Sequence, residues 1–175
     1  MTLVARPTNL RGLTLALLLS IPLLAFGALQ AVAQTAPASG SPHPMFLEDT
    51  SPANLPRTVE VFMEEVKAGG WSHLTTHNMA GILSTRGFTL DPVLIIEVCS
   101  GQYSAALLAN DETRFVASMI PCRVAIYQTS DDRVIISRMN APMMAEMMPP
   151  AVAEVIAASG AEMEAIIQKT LARLK

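Results

Sequence analysis

Apolar side chains recur along residues 57–175 with two spacings, and the switches between them mark out the elements. "RTVEVFMEEVKAGGW" (57–71) puts Val59, Phe62, Met63 and Val66 on one helical stripe, with Thr58 able to cap it and Gly69-Gly70 to stop it. "WSHLTTHNM" (71–79) favours an extended strand, and "MAGILSTRG" (79–87) fits one or two helical turns. "PVLIIEVC" (92–99) is almost continuously apolar, as expected of a strand covered on both faces. Helical spacing returns in "GQYSAALLAND" (101–111) through Tyr103, Ala106, Leu107 and Asn110, while "DETRFVASM" (111–119) fits a helix or a loop. "CRVAIYQ" and "RVIISRM" flank the polar "TSDD", a β-hairpin pattern. "APMMAEMM" (141–148) reads as a short helix with Pro142 in its first turn, and Pro149-Pro150 ends it. "PAVAEVIAASG" and "AEMEAIIQKTLARL" complete the pattern, the second with a stripe of Met163, Ile166, Ile167, Thr170 and Leu171; Gly160 between them is either a break or a tolerated glycine. These elements predict a single small α+β domain, with about four strands in one sheet and helices packed chiefly on one side.

The first part of the chain changes the picture of where the protein works. Residues 1–33 carry Arg6 and Arg11, then the apolar run "LTLALLLSIPLLAFGAL", then Ala31-Val32-Ala33. That is the order of a signal peptide cleaved after Ala33. The run is short for a membrane span and is interrupted by Pro22, which disfavours a retained anchor. Export to the periplasm or the medium is the expectation, with no membrane attachment after cleavage. Residues 34–56 are rich in Pro, Ala and Ser, without hydrophobic periodicity, and read as a flexible tether before a domain at 57–175. Losing residues 1–33 removes two positive charges and no negative ones, taking the formal charge from −3 to −5. An acidic domain of this kind is a poor partner for nucleic acid, which calls for a basic face.

Candidate chemistry is sparse. The sequence holds no Gly-x-Ser-x-Gly elbow, His-Glu-x-x-His helix, phosphate-cradling loop or dinucleotide fingerprint. His73 and His77 share a face, but on a strand they sit about 13 Å apart, too far to hold one metal together. Glu97 lies inside the most apolar strand, where a carboxylate needs a base such as Arg123 or Arg138, or an edge facing water. Met139, Met143, Met144, Met147 and Met148 crowd ten residues; they suit core packing or a methionine-lined groove, or thioether ligation of Cu(I). The two cysteines, Cys99 and Cys122, both lie at strand ends. An even count in an oxidising compartment makes a disulfide the default. Antiparallel neighbouring strands would bring the two together, and parallel ones would part them by about 20 Å. There is no Cys-x-x-Cys, so a thioredoxin-type site is not supported.

The segment "IIEVCSGQYSAALLANDETRFVASMIPCRVAIYQTSDDRVIISRMNAPMM" resembles the domain-of-unknown-function 302 family: an apolar strand ending in Cys, a helix, an apolar-Pro-Cys segment, a hairpin, and a step into a further helix. Upstream, "TVEVFMEEVKAGGWSHLTTHNMAG" is similar to its opening helix and strand, so the resemblance covers about residues 57–173. It implies a compact α+β domain that often forms homodimers, and it maps recurring positions onto His77, Cys99, Pro121, Cys122 and Asn140. Ser100-Gly101 departs from the Asn-Pro common in the family. The family's role is unsettled, so it supplies no catalytic residues, and its cytoplasmic members weigh against a purely secretory staple.

Two readings follow. One is a non-enzymatic binding or thiol-redox module centred on Cys99 and Cys122, with His77 and Met139 as further ligands of a soft metal such as Cu(I), and Glu97, Pro121 and Asn140 in support. The other is a structural or interaction domain whose cysteines form a bridge or fill the core. An enzyme needs a cleft with a positioned base, and the sequence displays none.

Overall fold

A computed structural model describes residues 43–175. The expected signal peptide and the first part of the expected tether lie outside the described residues.

The chain runs β1 (Phe46–Ser51), α1 (Leu55–Ala68), β2 (Ser72–Asn78), α2 (Met79–Ser84), β3 (Val93–Cys99) and α3 (Gly101–Leu108). A 3-10 helix (Arg114–Met119), β4 (Cys122–Gln128), β5 (Val134–Met139), α4 (Ala141–Ala145) and α5 (Pro150–Leu174) follow. The strands form one antiparallel sheet in the order β1-β5-β4-β3-β2. The expected α+β class is observed, with five strands where the periodicity pointed to about four.

The extra strand comes out of the stretch read as a tether. "FLEDTS" shows no clean alternation because it is an edge strand with a mixed environment. It pairs with β5 from Phe46↔Met139 to Ser51↔Val134. The domain therefore begins well before residue 57.

α1 also starts earlier than the pattern suggested. Its cap is Asn54, whose Oδ1 accepts from the Arg57 amide at 3.0 Å, satisfying one of the orphan N–H groups of the first turn. Thr58, the expected cap, is instead fully buried, and its hydroxyl lies 2.6 Å from that of Ser51 at the end of β1. The helix ends at Gly69-Gly70, where Gly70 takes φ 77, a conformation that side chains resist.

Alternation along the strands sorts the sheet into two faces. Ile96 and Val98 of β3, Val124 and Ile126 of β4 and Ile136 of β5 point into a core with Phe62 and Val66 of α1 and Met163, Ile166 and Ile167 of α5. Each such side chain, fully buried, contributes about 1.5–3 kcal/mol relative to exposure. The opposite face carries Ile95, Glu97, Arg123, Ala125 and Tyr127.

α5 is one helix of 25 residues, not two pieces. Gly160 is tolerated in its middle because α4 packs there: a Cβ on Gly160 would lie 2.3 Å from the Ala141 Cβ. A second buried cluster, Leu107, Val116, Met144, Val152 and Ile156, joins α3, the 3-10 helix, α4 and α5.

Candidate functional site

Between the sheet core and this second cluster lies a cavity of about 320 Å³. Its floor is the start of β4. Pro121, joined to Ile120 by a cis peptide, leads into Cys122, which stands opposite Val98 of β3. Cys122 therefore shares the helix-covered face with Val124 and Ile126. Leu107, Val116, Met119 and Ile120 form one wall, and Met144, Ile156 and Met163 another. Met139 and Pro142 also contribute to the lining.

The polar groups of the cavity are few, and the strongest are paired. Arg138, 3% exposed at its side chain, donates from Nη1 to Asp49 Oδ2 at 2.5 Å and from Nε to Glu164 Oε1 at 2.7 Å, while Nη2 donates to the other Glu164 oxygen. Burial acts to lower the Arg138 pKa, but the bonds and charges of Glu164 and Asp49 overcome it, and the net shift is upward. A buried guanidinium is thus balanced by two carboxylates, one from the edge strand and one from α5.

The cysteines are antiparallel neighbours, as one of the two sequence alternatives required. They are not bonded to each other, however. The register pairs Cys122 with Val98 and Cys99 with Ser72, so the two thiols leave successive rather than facing positions. Alternation turns successive side chains to opposite faces. Both cysteines are free, and the expected disulfide is absent. Cys99 Sγ lies 3.0 Å from Ser104 Oγ of α3. Local desolvation, and then the charge of Cys99, push the Cys122 thiol above its usual pKa.

His77 and Glu97 belong to the opposite face. Glu97 Oε1 is 3.5 Å from His77 Nε2 and 3.2 Å from Arg123 Nε. This is the pairing that a carboxylate in an apolar strand demands, and Arg123, not Arg138, supplies it. The proposed grouping of Cys99, Cys122, His77 and Met139 is therefore divided between locations: Cys122 and Met139 line the cavity, and His77 does not. Among the described residues, no group of three or more His, Cys, Asp and Glu is placed to hold a metal. Asn140 is a joint: its side chain accepts from the Met143 amide at 3.4 Å and donates to the Pro44 carbonyl at 2.9 Å, tying the start of α4 to the lead into β1. Ser100, where the sequence departs from the family pattern, caps α3 without a side-chain bond.

Sequence reasoning missed Arg138 as a wall of the site, and it missed Met119 and Met163. Met144 lay within the methionine-rich stretch already suspected of lining a groove. The other two are far from it in sequence, and only the packing of the 3-10 helix and α5 brings them in.

No curated protein matches the chain. The structure resembles the crystal structure of an uncharacterized conserved protein DUF302 from Bacillus stearothermophilus, at 24% identity over 76% of this chain and 100% of that one, with a TM-score of 0.63. At that identity the likeness speaks for the fold alone. The family profile described as "Domain of unknown function DUF302" matches residues 47–171, beginning inside β1 and ending in the last turns of α5. With so much of its length matched, the chain belongs to the DUF302 family.

Proposed function

We propose that the domain is a non-enzymatic binding module whose site is the cavity on the helix-covered side of β4, and that it takes a small, largely apolar ligand. The cavity itself carries this reading. At about 320 Å³ it is at the lower end of the range of small-molecule sites, with an apolar lining and a few fixed polar groups. Arg138 and Glu164 are held in place by their mutual bonds, so they can orient a guest without first being ordered. Cys122 offers a thiol on the wall. A reversible bridge between Cys99 and Cys122 has less support, because the register sets Cys122 against Val98 and Cys99 against Ser72, and both thiols are free.

The test is titration with 1-anilinonaphthalene-8-sulfonate, a fluorescent probe with apolar rings and an anionic sulfonate, monitored together with thermal unfolding. Saturable binding of one probe per chain is the expected result. Ser159→Phe, which pushes a ring into the lining, should weaken it by roughly tenfold or more while the protein stays folded. Unchanged affinity in a folded Ser159→Phe variant would remove the cavity from consideration, as would the lack of saturable binding to the unaltered protein.

A further inference from the structure

Five of the twelve sulfur atoms among the described residues gather at one place. Cys122 and the thioethers of Met119, Met139, Met144 and Met163 all line the cavity. They come from the end of the 3-10 helix, the start of β4, the end of β5, α4 and the middle of α5. Packing alone accounts for Met144 and Met163, which are 7% and 6% exposed. It does not account for Met139, which is 46% exposed yet also contributes to the lining. Of the charged groups lining the cavity, Arg138 and Glu164 are bonded to each other, and Arg123 is bonded to Glu97 of β3.

We infer that this cavity binds a soft monovalent metal ion, Cu(I), through the Cys122 thiolate and thioethers drawn from this methionine set. Thiolate and thioether ligands select Cu(I) over harder ions, which prefer oxygen and imidazole. The ion enters already reduced, so no electron is transferred. The Cys122 S–H bond breaks, its proton passes to solvent, and a Cu–S bond forms; each methionine sulfur donates a lone pair without losing a proton.

Anaerobic competition with the Cu(I) complex of bicinchoninate tests this on the full chain. The unaltered protein is expected to withdraw one equivalent of copper. Cys122→Ser should weaken the withdrawal by at least roughly tenfold, Met139→Leu by less, and His77→Ala not at all. Failure of the folded protein to withdraw copper overturns the inference, and so does undiminished withdrawal by Cys122→Ser. Cys122 and Met139 lie at exposed positions, and thermal unfolding of both variants checks that their folds persist. The inference rests on the cavity being open to a guest, but the two readings fail separately. Probe binding without copper binding sinks the metal site alone, and copper binding without probe binding sinks the apolar-ligand reading alone.

Discussion

Both tyrosines of the chain donate a hydrogen bond from the hydroxyl to a glutamate. Tyr127 donates to Glu48 across β4, β5 and β1 at 2.8 Å, and Tyr103 donates to Glu162 at 2.7 Å. Ionising either phenol would place a second negative charge beside a carboxylate. Desolvation and the Glu48 bond push the Tyr127 pKa up to about 12, and the Glu162 bond raises that of Tyr103. The sequence has no other tyrosine. Absorbance of tyrosinate in the folded protein should therefore grow only well above pH 10, with Tyr127 last. For a raised folded pKa the stabilising contribution is complete below the unfolded value, near 10, and is lost as pH climbs through the folded value. Unfolding by urea at a series of pH values should show stability falling between about pH 10 and 12; ordinary titration of both phenols near 10 would contradict these bonds. Neither glutamate is near its tyrosine in sequence, so no local pattern announces the pairs. Glu97 is the contrary case: its place in an apolar strand demanded a base, and the structure supplies Arg123.

Among the elements, α5 and α4 show how one atom can set a packing distance. Helix propensity favours Ala over Gly inside a helix by about 1 kcal/mol, so Gly160→Ala looks stabilising from sequence alone. The Ala141 Cβ, only 2.3 Å from the new methyl position, reverses that expectation. Forcing the helices apart in a packed region costs about 1–3 kcal/mol, and a net loss of stability is expected in thermal or urea unfolding. The double variant Gly160→Ala with Ala141→Gly should recover most of the loss, since it moves the methyl from one helix to the other. Additive losses would show that the contact is not what holds Gly160 in place. This contact also explains why the periodicity left Gly160 open as a break or a tolerated residue. The helix continues through it because the glycine is used as a surface, not as a hinge.

For the whole molecule, the question is where the domain starts. β1 completes the sheet beyond β5, delivers Asp49 to the buried Arg138, and ends at the Ser51 hydroxyl against Thr58. A chain trimmed to residues 43–175 should unfold cooperatively. One trimmed to 57–175 leaves Arg138 short of a carboxylate and exposes the edge of β5. Its melting temperature should fall by more than about 10 °C, or its transition should lose cooperativity. Equal melting of the two would return residues 43–56 to the status of a tether. The family match, which starts at residue 47, agrees with the earlier boundary.

By itself, the sequence determined most of the local structure: β2 to β5, the helices between them, the hairpin, and the α+β class. Those features depend on the periodicity of nearby residues, which can be read along a single chain. It also pointed to the family, because the Cys and Pro-Cys segments lie in a recognisable order. Tertiary structure decided what the periodicity could not carry. A mixed edge strand emerges from a Pro/Ala/Ser-rich stretch because β5 supplies its hydrogen bonds. A one-residue offset in the β3–β4 register sets Cys122 against Val98, not against the Cys99 that sequence order paired it with. A cavity collects Cys122 with four methionines from distant segments, since only the packing of helices on a sheet determines which side chains share a space.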